Sequence, residues 1–302
     1  MSKIAVIGLV GESIFMRMET LPKPSVTYQA KNIFTELGGK GFNQAVACLK
    51  LGGSVSYLGK VGMDSYGTKC IEYCLNIGMD CYLETDTEEN TALATILSDE
   101  SGENTVIVYP GASAKLNKES VLNFKKYIKD AELLVLQYEL PLEVIYEAIK
   151  VAKDNNVKIL LNPAPAVLDD IDLINSVDYL TPNFEECKKI FNLPNAKIEE
   201  LGSLLVGKYN PIIIVTLGKD GSLLVTNDSY QYFDSFKVEA VDTTGAGDIF
   251  NAGLAVSIVN NKPLADAIKF ASCASAISVT KHHVLDSIPT YDEVIDFLDK
   301  NK

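Results

Sequence analysis

The chain predicts an α/β fold: a mostly parallel central sheet covered by helices on both faces, with a small β-sheet outside the main layer. Three observations carry this. The runs Leu133–Leu136 and Ile212–Val215 are continuously apolar, and Val157–Leu161 and Val177–Leu180 are interrupted only at Lys158 and Asp178, as suits strands buried on both faces. They alternate with helical stretches, so the unit repeated is strand, helix, strand. Thr91–Leu97 and Asn104–Tyr109, by contrast, alternate around an acidic turn and read as strands of a separate, half-exposed sheet.

In chain order, Lys3–Gly8 is a buried first strand. Gly8 and Gly11 follow it, but the G-x-G-x-x-G spacing of a dinucleotide site is missing. Val26–Tyr28 and Asn32–Thr35 read as short, half-exposed strands of the outer sheet. In G-G-K-G-F-N-Q-A-V-A-C-L-K-L-G-G, residues 38–53, small and apolar positions suit a closely packed helix that stops at Gly52-Gly53. Lys40 and Asn43 stand at its mouth. No Ser or Thr follows the lysine, so the Walker pattern is excluded. Val55–Leu58 is a strand and Tyr66–Ile77 a helix. A helix follows Pro141, and another starts at Glu185. Ser222–Thr226 and Gln231–Phe233 are strands, and Asp248–Val259, Leu264–Val279 and Tyr291–Asp299 are helices. In parallel sheets ligands bind beyond the carboxyl ends of the strands. Glu139, Asn162, Asn183, Thr216 and Gly218 all fall there.

With 27 Lys and Arg against 40 Asp and Glu, the net charge of −13 argues against nucleic acid or an anionic membrane as partner. Arg17 is the only arginine, so Lys40 and Lys219 are the better candidates to meet a phosphate. The six cysteines form no C-x-x-C pair. Cys70 and Cys74 lie one helical turn apart without a third ligand nearby, and read as buried small hydrophobes. No apolar run approaches the ~20 residues of a membrane helix. A reduced, cytoplasmic enzyme is the expectation. His282 and His283 read as solvated loop residues.

The stretch V-D-T-T-G-A-G-D-I-F-N-A-G, residues 241–253, carries the chemistry. Glycines open a helix whose first amides have no internal partner, which makes an anion site. An aspartate there repels what the amides attract. It makes sense as a base beside a phosphate. The reading is a kinase in which Asp248 takes the proton from an attacking hydroxyl.

These two stretches resemble the signatures of the ribokinase, or pfkB, family of sugar kinases, in the right order. Q-Y-E-L-P-L-E (137–143), N-P-A-P-A (162–166), T-P-N-F-E-E (181–186) and T-L-G-K-D-G (216–221) are similar to further family motifs, so the resemblance spans nearly the whole chain. It implies a three-layer α/β/α, ribokinase-like domain over 1–302. A β lid from about 12–37 and 91–110 would pair subunits into a homodimer. It implies ATP as donor, a small sugar as acceptor and Mg²⁺ as cofactor. Asp248 would be the base, and Gly245, Ala246 and Gly247 the anion hole. Gly39, Lys40, Asn43 and Glu139 would line the sugar site. Thr216, Gly218 and Gly221 would border the nucleotide, with Gly247 beside its phosphates. Asn183 and Glu186 would organise Mg²⁺ through water, and Asp242 and Thr244 a monovalent cation, usually K⁺.

One stretch departs from the family pattern. Members acting on ribose carry an Asn and an Asp after the first strand that grip sugar hydroxyls. Gly11 and Ser13 stand there, with Glu12 between them, and Phe42 replaces a small residue. A site without its polar partner loses discrimination. The acceptor is therefore open: ribose with Glu12 turned inward, a sugar with another hydroxyl pattern, or a nucleoside. Two further readings compete: a non-catalytic sugar sensor on the kinase fold, which the intact Asp248 opposes, and a nucleotide-dependent oxidoreductase, which the missing fingerprint opposes.

Overall fold

The computed structural model describes residues 4–100, 104–166 and 170–301. Two sheets organise it. The larger has nine strands, in spatial order β13-β12-β11-β10-β9-β8-β1-β4-β5. These are β1 (Ile4–Ile7), β4 (Val55–Gly62), β5 (Asp80–Asp86), β8 (Leu133–Gln137), β9 (Lys158–Asn162), β10 (Tyr179–Leu180), β11 (Ile212–Thr216), β12 (Ser222–Val225) and β13 (Tyr230–Phe233). Seven neighbours from β11 to β5 run parallel, while β12 and β13 pair antiparallel at one edge.

The three layers follow from the alternation of side chains along a strand. Ile4 and Val6 of β1 belong to one hydrophobic cluster, Ala5 and Ile7 to the other. On the first face lie α1 (Lys40–Lys50), α2 (Ser65–Asn76), α8 (Ala246–Val259), α9 (Leu264–Ser278) and α10 (Tyr291–Lys300). On the second lie α3 (Lys118–Asp130), α4 (Leu142–Asp154), the short α5 (Ile171–Ile174), α6 (Phe184–Ile190) and α7 (Ile198–Leu205). Every residue of α8 from Asp248 to Val259 is buried. It is an interior helix wedged among α1, α9 and the sheet, which explains why its sequence shows almost no polar face.

The smaller sheet has the order β3-β2-β6-β7, from β2 (Gly11–Arg17), β3 (Asn32–Gly38), β6 (Ala92–Ser98) and β7 (Asn104–Tyr109). The chain passes from β1 into β2 across three residues, so this sheet springs directly from the carboxyl end of β1. Val26–Tyr28 is not a strand. The β2–β3 pairing closes from Gly11↔Gly38 to Arg17↔Asn32, leaving the segment between without a partner ladder. α8 begins at Ala246, two residues before the sequence placed it. β5, α3 and α7 are additional elements. β5 is a polar edge strand beside β4, and α3 is fixed by a capping box of Asn117 and Ser120.

Asp64 ties the smaller sheet to the body. It caps α2 by accepting the Gly67 N–H at 2.8 Å, and it accepts the Thr91 N–H and hydroxyl, each at 2.7 Å, just ahead of β6. Burial works against its charge, but these donors hold the carboxyl below the usual aspartate range. A depressed carboxyl stabilises above the ordinary range and loses that contribution as pH falls through its folded value. Asp64→Ala should therefore cost about 1–3 kcal/mol at pH 7. In thermal melts the gap to wild type should close as the pH drops below about 4.

Candidate active site

Most of the residues singled out by sequence converge where α1, α8 and the carboxyl ends of β8 to β11 meet. The turn before α8 fixes the geometry. Gly245, at φ 74°, is left-handed, and a Cβ there would lie 2.5 Å from a Val284 methyl, so glycine is required twice over. The Ala246 N–H turns back to the Thr243 carbonyl over a long 3.3 Å. Over Gly247 there is open space.

Asp248 follows in the first turn of α8, 6% exposed. Its Oδ2 accepts from Asn43 Nδ2 and its Oδ1 from Gln44 Nε2, both at 3.0 Å. Burial pushes its carboxyl up, while Lys40 and the two amides pull it back. An unpaired buried carboxylate costs several kcal/mol, and each charge-assisted hydrogen bond returns roughly 1.5–3 kcal/mol, so Lys40, Asn43 and Gln44 each offset part of the cost of burying this group. Lys40 is raised: burial alone would lower it, but Asp248, Glu139 and Glu186 outweigh that. The Lys40 N–H donates to Glu139 Oε2 at 2.8 Å, and burial pushes the Glu139 carboxyl up to about 7 despite Lys40. Glu186 is raised too, by burial first, while the Asn183 N–H on its carboxylate opposes this. Three carboxylates thus face one lysine, an imbalance that favours an additional cation.

Two cavities meet at the α8 turn. One, of about 190 Å³, is polar and lined by Lys40, Asn162, Asn183, Glu186 and Gly245 to Asp248. The other, of about 440 Å³, holds Gly218, Lys219, Gly221, Phe236 and Phe250. They share Thr216, Thr243, Ala246 and Gly247. The arrangement can hold an anion at the shared edge, a larger half-apolar molecule on one side and a hydroxyl within reach of Asp248 on the other.

Asp242 and Thr244 lie apart from both. The Thr244 N–H bonds Asp242 Oδ1 at 2.9 Å, and both residues line a third cavity of about 370 Å³ with Arg17, His282 and His283. His283 is no free loop residue: its ring stacks on Phe34 of β3 at 3.5 Å between centroids. Two residues along β3, Glu36 accepts the N–H groups of Val284 and Leu285 at 2.9 and 3.1 Å.

Gly11 and Ser13 share one face of β2, opposite Gly38 and Glu36 in register, which places them beside Gly39 at the mouth of α1. Glu12 points the other way. It is buried, and its carboxylate meets Lys69 of α2 at 2.9 Å, so it does not take the place of a missing polar group. Nor could position 11 carry a side chain without backbone movement, since a Cβ there would stand 2.1 Å from the Ala92 carbonyl oxygen. Phe42 is fully buried against Tyr57 and Tyr73 and acts in the core.

Sequence reasoning missed the buried polar side chains behind Asp248: the amides of Gln44, Gln137 and Asn251 and the hydroxyl of Thr181. The signal was present, since Asn43 and Gln44 are adjacent polar residues in a helix otherwise built of small apolar ones. Among the described residues no group of three or more His, Cys, Asp or Glu is arranged to hold a metal directly, and no helix is long and apolar enough to cross a membrane.

The model of the pfkB family carbohydrate kinases matches residues 1–291. A ribokinase of Lactococcus lactis is 34% identical over 296 residues, covering 97% of this chain and 96% of its own. A deoxyribokinase of Salmonella typhimurium is 32% identical over 304 residues, covering 99% of each. The structure of Arabidopsis thaliana ribokinase complexed with ribose and ATP superposes with a TM-score of 0.89 at 28% identity, covering 99% of both chains. The chain belongs to the pfkB family of carbohydrate kinases.

The Glu139 value has a testable consequence. Its folded pKa is raised, so its contribution to stability is complete below the ordinary glutamate range and is lost as pH rises through about 7. Glu139→Gln stays neutral and can still accept the Lys40 N–H. Its melting temperature relative to wild type should climb from pH 5 to pH 8. A pH-independent difference would contradict the assignment.

Proposed function

We propose that this pfkB-family carbohydrate kinase transfers the γ-phosphoryl group of ATP to a primary hydroxyl of a small sugar, with Asp248 as general base. The observation that carries the reading is the buried, amide-braced Asp248 in the first turn of a helix whose opening glycine turn joins the two cavities. The 440 Å³ cavity would take the nucleoside of ATP, bordered by Thr216, Gly218 and Gly221. The phosphates would run to the shared edge, where the amides of Gly245, Ala246 and Gly247 meet the transferring group. The weak Ala246 bond to Thr243 is one that a phosphate oxygen can replace.

The acceptor oxygen attacks γ-phosphorus, its bond to the bridging oxygen breaks, ADP leaves, and the hydroxyl proton passes to Asp248. Lys40 keeps Asp248 ionised for that transfer and faces the developing phosphate charge. Gly39, Asn43, Glu139, Gly11 and Ser13 would surround the sugar, and the small sheet would act as the lid over it and as the surface that pairs two subunits. Mg²⁺ fits the surplus of carboxylate: Glu186 and Asn183 would hold it through water, since each already bonds the other's backbone in a capping box, and it would offset phosphate charge. A monovalent cation such as K⁺ would sit near Asp242 and Thr244, where Asp242 keeps one carboxylate oxygen beyond the turn it closes.

On the acceptor, Ser13 is the polar side chain that β2 offers on the sugar-facing side, and Gly11 offers none. That favours a pentose held with fewer contacts to its ring hydroxyls, and the relatives named for ribose and for deoxyribose both fit. An ATP-coupled assay with ribose, 2-deoxyribose, hexoses and nucleosides tests this. A pentose should lead. A nucleoside turning over faster would replace the reading.

Asp248→Asn should fold, because Asn43 has an unpaired buried Oδ1 that can turn to the new amide. It should bind ATP in calorimetry and lose roughly 10²–10⁴ in turnover. Near-normal turnover would remove Asp248 as base. Adding K⁺ over a choline chloride background should raise activity, and a flat response would remove the cation from the scheme.

A further inference from the structure

Behind Asp248 runs a chain of buried side-chain amides whose direction is set at its far end. The Thr181 carbonyl can only accept, so the group 2.8 Å from it is Asn162 Nδ2. Asn162 Oδ1 then faces Gln44, which must present Nε2, at 3.2 Å. The other hydrogen of that same nitrogen points to Asp248 Oδ1 at 3.0 Å. Gln44 Oε1 is left to accept, and it does so from Gln137 Nε2 at 2.7 Å. Gln44 is fully buried and Gln137 nearly so. No reversal of the Gln44 amide is possible without breaking three hydrogen bonds at once.

We infer that Gln44 is the positioning residue of the reaction: it fixes Asp248 Oδ1 to the scaffold and leaves Oδ2, beside Asn43, to face the acceptor hydroxyl. The inference rests on the reading of Asp248 as the base. Its physical content is a division of labour between two adjacent residues on α1. Asn43 holds Oδ2 with one hydrogen and has an unpaired Oδ1, so it can rearrange when a sugar arrives. Gln44 has all its polar atoms engaged, and each partner is itself anchored on a different strand end: Gln137 on β8, Asn162 on β9, with Thr181 just past β10. A carboxylate held at one oxygen by such a brace cannot rotate, and rotation of the base is what would misalign it with the attacking oxygen. A donor on the carboxylate also favours its ionised form, so the same contact keeps the base deprotonated.

The test is single-turnover phosphoryl transfer as a function of pH, with ATP and the better of ribose and 2-deoxyribose as acceptor. Gln44→Glu keeps the shape, removes the donor and sets a second carboxylate against Asp248. The rate constant should fall by about 10²-fold with the KM for both substrates within about threefold of wild type. The acid limb of the profile should move to higher pH by about one unit or more. Gln137→Met, which touches neither Asp248 nor the cavities, removes only the donor to Gln44 Oε1. It should shift the limb in the same direction with a smaller loss of rate, and it decides the matter if the Gln44 variant does not fold. A purely structural amide would lower the melting temperature of both variants while leaving the rate per folded molecule and the acid limb unmoved, and that result overturns the inference. Asp248→Asn run alongside separates the two readings. If it retains turnover, the base assignment fails; if it is inactive while the Gln44 and Gln137 variants transfer normally, only the brace fails.

Discussion

A carboxylate enclosed inside the protein is the constraint on which the rest of this structure depends. Asp248 sits on a helix buried along nearly its whole length, where burial works against its charge. Every group that does support it comes from α1: the charge of Lys40, the amide of Asn43 and the amide of Gln44. The two helices come from opposite ends of the sequence, more than two hundred residues apart, and must pack closely for those contacts to form. Small residues on both, from Ala45 and Ala47 to Ala252 and Ala255, allow this. The density of small side chains in the two motifs is therefore a packing requirement of this contact as much as a feature of the candidate ligand site.

The sheet supplies the other half of the site. Because β8, β9, β10 and β11 run parallel, their carboxyl ends lie along one edge, and each delivers a polar residue at the same height. Glu139, Asn162, Asn183 and Thr216 reach one region although each is separated from the next by a helix. β2 leaves the same edge from β1, so the smaller sheet arises where the site opens.

Most of this architecture was legible in the sequence for an identifiable reason. Strands buried on both faces are continuously apolar, and a ligand turn needs glycine, so β8 to β11 and the 241–253 stretch announce themselves. What stayed hidden obeys weaker rules. β5 is a half-exposed edge strand, and polarity disguised it. Val26–Tyr28 has strand-forming residues but no neighbouring ladder, which only the fold reveals. The amides of Gln44 and Gln137 could not be ranked, because a glutamine buried for hydrogen bonding and one exposed to water look alike until the partners are placed. The turn of Glu12 away from Gly11 and Ser13 follows from period-two alternation once β2 is known to begin at Gly11.

Glu36 of the smaller sheet holds the N–H groups of Val284 and Leu285, and a methyl of Val284 stands where a Cβ on Gly245 would go. One residue therefore lies between the outer sheet and the turn that opens α8. The sheet cannot slide along the 282–285 loop without giving up two hydrogen bonds to a half-buried carboxylate or dragging Val284 with it. Val284 is in that sense a mechanical coupling, a single side chain through which the posture of the outer sheet is felt at the helix tip.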